Sequence, residues 1–229
     1  MTQTAPLAGI PQTAPVFPLP GVVFFPRTVL PLHIFEPRYR TMIADAEKGD
    51  RCIAVSLLRA GWEKEYDGAP AFHDVGCVGA MTDVTRTGDG RYYLKLVGLR
   101  KVILGDLVGV EPYRTACIQP VEESVPGDFD PESRGDLARL LGACAVLVQE
   151  LSEKAFPMVT VKEGLPYETV VNSVCAHVGL PPEIKQSLLE TNDLRNRCVR
   201  LTDFLEEHLQ RLLLSRGPEA GEHGTVTVN

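Results

Sequence analysis

From Val16 the chain reads VFPLPGVVFFPRTVLPLHIF, an apolar run broken by Pro18, Pro20, Pro26 and Pro31. Proline cannot donate to a β-ladder and ends helices, so the pattern predicts short strands joined by turns. Glu36 is followed by Pro37, and Tyr39, Met42, Ile43 and Ala46 then recur at helical spacing up to Gly49. This predicts a short helix over 37–48 with Pro37 in its first turn. Glu36, Pro37 and Arg38 form its start, with Glu36 helping to cap it and Arg38 finding a carboxylate partner.

CIAVSLL (52–58) is a continuous apolar run and predicts a buried strand. Residues 59–74 show no period and carry Gly, Pro and charge, so they predict a loop. Beyond it, Asp89-Gly90 is a strong hairpin signal. Tyr92, Leu94 and Leu96 alternate with Tyr93, Lys95 and Val97 as in a strand. Gly98 predicts a bend into a further strand at 100–105, and 113–120 reads as a last strand. After VEESVPGDFD (121–130) the period changes to helical. Helices are predicted at 131–153, 167–178, 182–190 and 194–215, the last with an apolar seam at 194, 198, 201, 205, 208 and 212 in which His208 occupies one position. That seam is expected to pack on the other helices of the chain.

The expected organisation is therefore a flexible lead-in (1–14), a β-rich part (15–120), an acidic linker (121–130), a helical bundle (131–216) and a disordered tail (217–229). Charge follows the same division. The net charge of the 229 residues is −7. Residues 1–120 hold 13 Lys/Arg against 12 Asp/Glu, a net of +1, and residues 121–229 hold 10 against 18, a net of −8. An acidic chain repels phosphate backbones on average, which disfavours general nucleic-acid binding. The six cysteines are all at least 23 residues apart, so no paired zinc or dithiol motif exists, and buried free thiols in a reducing cytoplasm are expected. Residues 1–26 carry no charged side chain, but they lack a basic leader region, and Pro6, Pro11, Pro15, Pro18 and Pro20 forbid a continuous apolar helix, so neither a signal peptide nor a spanning helix is expected.

Candidate chemistry is sparse. No phosphate-binding G-x-x-x-x-G-K-[ST], no G-x-G-x-x-G and no G-x-S-x-G occurs. Cys175 and His177 stand about 200° apart on a predicted helix and cannot form a dyad. His33, His73, His177, His208 and His223 are scattered, with no H-x-x-x-H, so neither a metal nor any other cofactor is expected. His33, Glu36, Arg38 and Tyr39 form the densest polar group; an acid/base pair of His33 and Glu36 is one reading and a helix start is the plainer one. Trp62, Tyr66 and Phe72 lie among charges in the 59–74 loop, where large aromatics can anchor a bound chain or fold back as a lid.

FPLPGVVFFPRTVLPLHIFEPRYRTMIADA (17–46) resembles the opening of the LON domain, the amino-terminal domain of Lon proteases. GCVGAMTDVTRTGDGRYYLKLVGLRKV (76–102) and KQSLLETNDLRNRCVRLTDFLEEHL (185–209) resemble its later strands and helices, so the likeness spans about 15–214. The family tends to show G-x-x-R after a strand, where this chain has Gly98-Leu99-Arg100-Lys101, with Lys101 at the Arg position. The resemblance implies an α+β fold, a PUA-like β pseudobarrel with one short helix followed by an α-helical bundle. It also implies a non-catalytic recognition module, without ATPase or peptidase activity, that binds unfolded polypeptide or a protein partner in the cytoplasm. Trp62, Tyr66 and Phe72 are the expected anchors. The alternative is an RNA-binding PUA-like protein using Arg86, Arg91, Lys95, Arg100 and Lys101. Neither expectation specifies an oligomeric state.

Overall fold

The computed structural model describes residues 9–65, 68–127, 130–150 and 164–215. Tyr66, the start of the lead-in and the expected tail lie outside the described residues. In chain order the elements are β1 (Thr13–Leu19), β2 (Val29–Ile34), α1 (Pro37–Lys48), β3 (Cys52–Leu57), β4 (Val75–Arg86), β5 (Tyr92–Gly109), β6 (Thr115–Pro120), α2 (Pro131–Glu150), α3 (Tyr167–His177), α4 (Pro182–Glu190) and α5 (Leu194–Ser215). The fold is mixed α+β, with one six-stranded sheet in the order β2-β5-β4-β3-β1-β6.

β5 also pairs with β6, so the hydrogen bonding returns on itself through β5, β4, β3, β1 and β6, leaving β2 outside the circuit. β3 sits in its middle and is buried at every residue, which is why its sequence is continuously apolar rather than alternating. β1 runs parallel to β3 and antiparallel to β6. It starts before the expected boundary: Thr13 and Ala14 pair with Cys117 and Ala116, and Ala14 is fully buried, a site that suits its small side chain.

Gly98 does not separate two strands as expected; the irregularity there lies within the single strand β5. β5 runs on through Gly98, where the extra residue Leu99 makes a bulge against Val78 and Gly79. The glycine is needed because the chain crosses there: a Cβ on Gly98 would lie 2.3 Å from the Phe25 carbonyl oxygen. Phe25 and Val23, on the connection before β2, join Leu57 in the core formed by α2, α3, α4 and α5. A second core lies under α1, where Tyr39, Met42 and Ile43 meet Phe17, Ile53, Val55, Leu94 and Leu96. In α5 the seam passes through Leu209 rather than His208, which is exposed, because 3.6 residues per turn carries the stripe one position on.

The acidic linker segment is tied to both parts at Glu123 and Ser124. The Ser124 N–H donates to the Asn192 carbonyl (3.0 Å), and the Leu194 N–H donates to the Ser124 carbonyl (2.9 Å). Glu123 is buried between two cations, Lys101 (3.0 Å) and Arg197. Arg197 also donates to Asn172 Oδ1 (2.7 Å) and to the carbonyls of Leu188 (2.8 Å) and Thr191 (2.7 Å). Lys101 donates to the Leu189 carbonyl (3.0 Å) and Asn192 Oδ1 (2.8 Å). Lys101 thus works as a compact charge among several oxygens, a task that does not need a planar guanidinium.

Candidate functional site

β2 is the open edge of the sheet, paired antiparallel with β5 on one side. Gly98 N–H donates to the Thr28 carbonyl (2.8 Å), and the β2–β5 register keeps Thr28 opposite Gly98. Carried along the ladder two residues at a time, this turns the backbone groups of Val29, Pro31 and His33 to the free side. Pro31 lacks an N–H and blunts the edge there, as edge prolines do. Among the described residues nothing pairs with the amide and carbonyl groups of Val29 and His33 on that side, which leaves them open to an extended chain.

The side chains of β2 alternate. Leu30, Leu32 and Ile34 pack toward the core under α1, while Val29, Pro31 and His33 face out. On that outer face His33 stacks on its cross-strand partner Tyr93, with ring centroids 4.5 Å apart and planes 8° apart. Phe35 lies next in the row, 5.8 Å from His33. Phe35 and Tyr93 are 56% and 52% exposed, so two large rings stand in solvent beside an open strand edge.

A cavity of about 240 Å³ opens between β1 and the start of α1, walled by Phe17, Leu19, Leu32, Phe35, Tyr39 and Pro70. Its polar lip is built by the sequence around the helix start. Pro37 holds the first turn, and Glu36 sits at the cap position, but the Glu36 side chain makes no capping hydrogen bond. Its carboxylate instead accepts from Arg38 Nε (3.1 Å), and Arg38 lies over the Tyr39 ring, 4.7 Å from its centroid. Tyr39 packs edge-on against Phe17 (4.6 Å), and burial raises its hydroxyl above the ordinary tyrosine range, so it stays neutral. A second depression of about 340 Å³ lies across the strand, lined by Pro31, His33, Tyr93 and the ion pair of Lys95 with Asp83 (2.8 Å). Leu32 and His33 border both. Glu36 is engaged by Arg38 and the His33 ring is stacked on Tyr93, so the walls left open are mostly apolar; among the described residues no His/Cys/Asp/Glu group could hold a metal.

The anchors expected from sequence are placed apart. Trp62 starts a short 3₁₀ turn, Trp62–Glu65, is half-buried, and lines a third depression with Pro20, Gly21, Leu58 and Pro182. It adjoins the first cavity, which Pro20 and Leu58 also line. Phe72 is half-buried against the small-residue core of β1, β3 and β6, with Arg114 stacked on its ring at 4.6 Å. Tyr66 lies outside the described residues. The loop reaches the β2 cavity through Pro70 instead. Phe35, His33 and Tyr93 carry the exposed row; Tyr93, on the polar side of an alternating strand, was the visible signal for it. The expected basic patch is dispersed. Lys101 is buried, and Arg91, Lys95 and Arg100 each meet a carboxylate, Asp89, Asp83 and Glu122.

A family model, the ATP-dependent protease La (LON) substrate-binding domain, matches residues 13–207. The chain is similar to Lon protease 2 of Myxococcus xanthus, 30% identical over 221 residues, covering 95% of this chain and 26% of that protein. It is likewise 30% identical over 221 residues to the Lon protease of Anaeromyxobacter dehalogenans, with the same coverage. The chain thus spans about a quarter of the length of the curated relatives it matches. Among solved structures, the N-terminal domain of Mycobacterium avium complex Lon protease aligns with a TM-score of 0.65 at 18% identity, covering 86% of this chain and 99% of that one. The Lon N-terminal domain protein from Xanthomonas campestris aligns with a TM-score of 0.58 at 21% identity, covering 86% and 97%.

Proposed function

The chain belongs to the LON substrate-binding domain family, and from that premise we propose that it is a non-catalytic module that captures exposed segments of unfolded polypeptide or of a partner protein. The observation that carries this reading is the open edge of β2 with an apolar cavity on one flank and the Phe35–His33–Tyr93 row on its outer face. An extended segment adds to the strand edge through its backbone, which is indifferent to sequence, while apolar side chains enter the cavity. Backbone pairing with apolar pockets suits a module that must recognise many unfolded chains. Trp62 extends the apolar surface on the far side of Leu58. We read the closed circuit of strand pairings as a PUA-like pseudobarrel, with 15–120 as the recognition part and 131–215 as its support. The free thiols at all six cysteines fit a cytoplasmic setting.

RNA is the weaker ligand because most of the basic side chains expected to meet it are buried or already paired. Capture is tested with fluorescently labelled unfolded peptides. Phe35→Ala removes a ring that is about half exposed in the free protein, so it weakens binding by roughly tenfold, the order expected for losing one buried aromatic contact, with the thermal midpoint nearly unchanged. Trp62→Ala has a smaller effect of the same kind. Unaltered peptide binding in Phe35→Ala overturns the site assignment.

A further inference from the structure

Resting on the β2 groove as a polypeptide site, we propose that the outer face of α1 holds a second subsite, which takes a carboxylate side chain of the same bound polypeptide about three or four residues from its apolar anchor. The subsite is a groove of about 450 Å³ between α1 and the β4–β5 turn, lined by Pro37, Arg40, Thr41, Lys48 and Arg86. Among the described residues the Arg40 and Arg86 side chains make no hydrogen bond and no ion pair. Arg40 is half-buried, and a half-buried guanidinium has five donors to satisfy. The one carboxylate lining the groove, Asp45, is engaged by Lys48 (3.7 Å) and by the Tyr113 hydroxyl (3.1 Å). The groove therefore carries excess positive charge in a chain of net −7.

The fold makes a place for this charge. Gly90 has φ +80°, a conformation that favours glycine, and without a Cβ there the Arg40 guanidinium lies directly against the turn. Arg86 stands on the other side of that turn with its guanidinium 5.8 Å from the Tyr92 ring centroid. Two arginines lining one groove suit a single carboxylate, whereas a polyanion extending beyond it would also meet Asp89 on the neighbouring turn. The two grooves flank the first turn of α1: Glu36, Arg38 and Tyr39 line the apolar one, and exposed Pro37 is the ridge into the other. A helix with its side chains is about 10 Å across, and an extended chain advances roughly 3.3 Å per residue. That span sets the spacing of three to four residues.

The test uses the whole chain and labelled peptides carrying one Phe and, three or four residues away on either side, Glu, Gln or Lys. Fluorescence anisotropy is expected to give roughly tenfold tighter binding for the Glu peptide than for the Lys peptide, the combined effect of two partly exposed charge pairs. Added salt narrows that gap. Arg40→Gln with Arg86→Gln abolishes the preference and leaves binding of the Gln peptide unchanged. Equal binding of Glu and Lys peptides to the unaltered protein, or a preference that survives both substitutions, overturns the subsite while leaving the apolar groove standing. Failure of every peptide, the Gln one included, overturns the groove reading and the subsite with it.

Discussion

Replacing Arg197 by Met tests what joins the helices to the sheet. Arg197 is fully buried and donates to Glu123, Asn172 Oδ1 and three backbone carbonyls. Those oxygens do not all lose equally. The carbonyls of Leu189 and Thr191 keep Lys101 as a donor, and that of Leu188 keeps the Thr191 N–H. Asn172 Oδ1 loses its donor, and Glu123 is left with Lys101 alone. An orphaned buried acceptor costs about 1–3 kcal/mol, and breaking one side of a buried ion pair brings the total to about 3–5 kcal/mol. That is a large share of the roughly 5–15 kcal/mol typical of a whole domain. Urea denaturation followed by circular dichroism reads the loss as a fall in midpoint at constant slope. In a cycle with Glu123→Gln, the two changes couple by more than about 1 kcal/mol, since both act on one network. A loss below about 1 kcal/mol, or additivity within about 0.5 kcal/mol, would show that the network does not hold the two parts together.

Close backbone crossings predict further losses: Gly76→Ala places a Cβ 2.4 Å from the Val55 carbonyl oxygen, and Gly98→Ala places one 2.3 Å from that of Phe25. Each should lower stability by about 2–3 kcal/mol, whereas Gly142→Ala in α2, with nothing within 4 Å, should raise it by about 0.5–1 kcal/mol; thermal melts of the three separate the cases. Native-state alkylation at pH 8 should modify exposed Cys117 quickly, while burial pushes the Cys144 thiol up to about 11 and that of Cys175 up to about 12 and leaves both slow until the chain unfolds; mass spectrometry of the labelled peptides checks the order. Asp130 caps α2 by accepting from the Ser133 hydroxyl and N–H, which hold its carboxyl below the usual range. A carboxyl depressed on folding adds stability above its ordinary pKa and loses it as pH falls through the depressed value. The difference in thermal midpoint between the unaltered protein and Asp130→Ala should therefore be present at pH 7 and vanish at strongly acidic pH.

The starts of α1, α4 and α5 were legible because each is marked by local chemistry, Pro37, Pro182 and Asp193. β3 was legible because a strand buried on both faces must be apolar throughout. The Asp89-Gly90 turn was legible because its geometry needs a residue free to take φ +80° at Gly90. Gly98 was read only in part: a glycine that ends one strand and one that makes room for a passing chain within a bulged strand look alike in one dimension. The candidate site was less legible still. Trp62 and Phe72 stood out as aromatics in a polar loop, yet Phe72 lies under Arg114, while Phe35 and Tyr93 stand in solvent. Periodicity reports which residues share a face of one element. It says nothing of which strand is left at the edge. The sequence alone determined the kinds of element, their order and the family likeness, since propensity, proline and glycine act over a few neighbours. Tertiary structure decided the rest, because pairing β5 with both β4 and β6 is what leaves β2 open, and burying Lys101, Glu123 and Arg197 together depends on contacts between residues up to 91 apart in the chain.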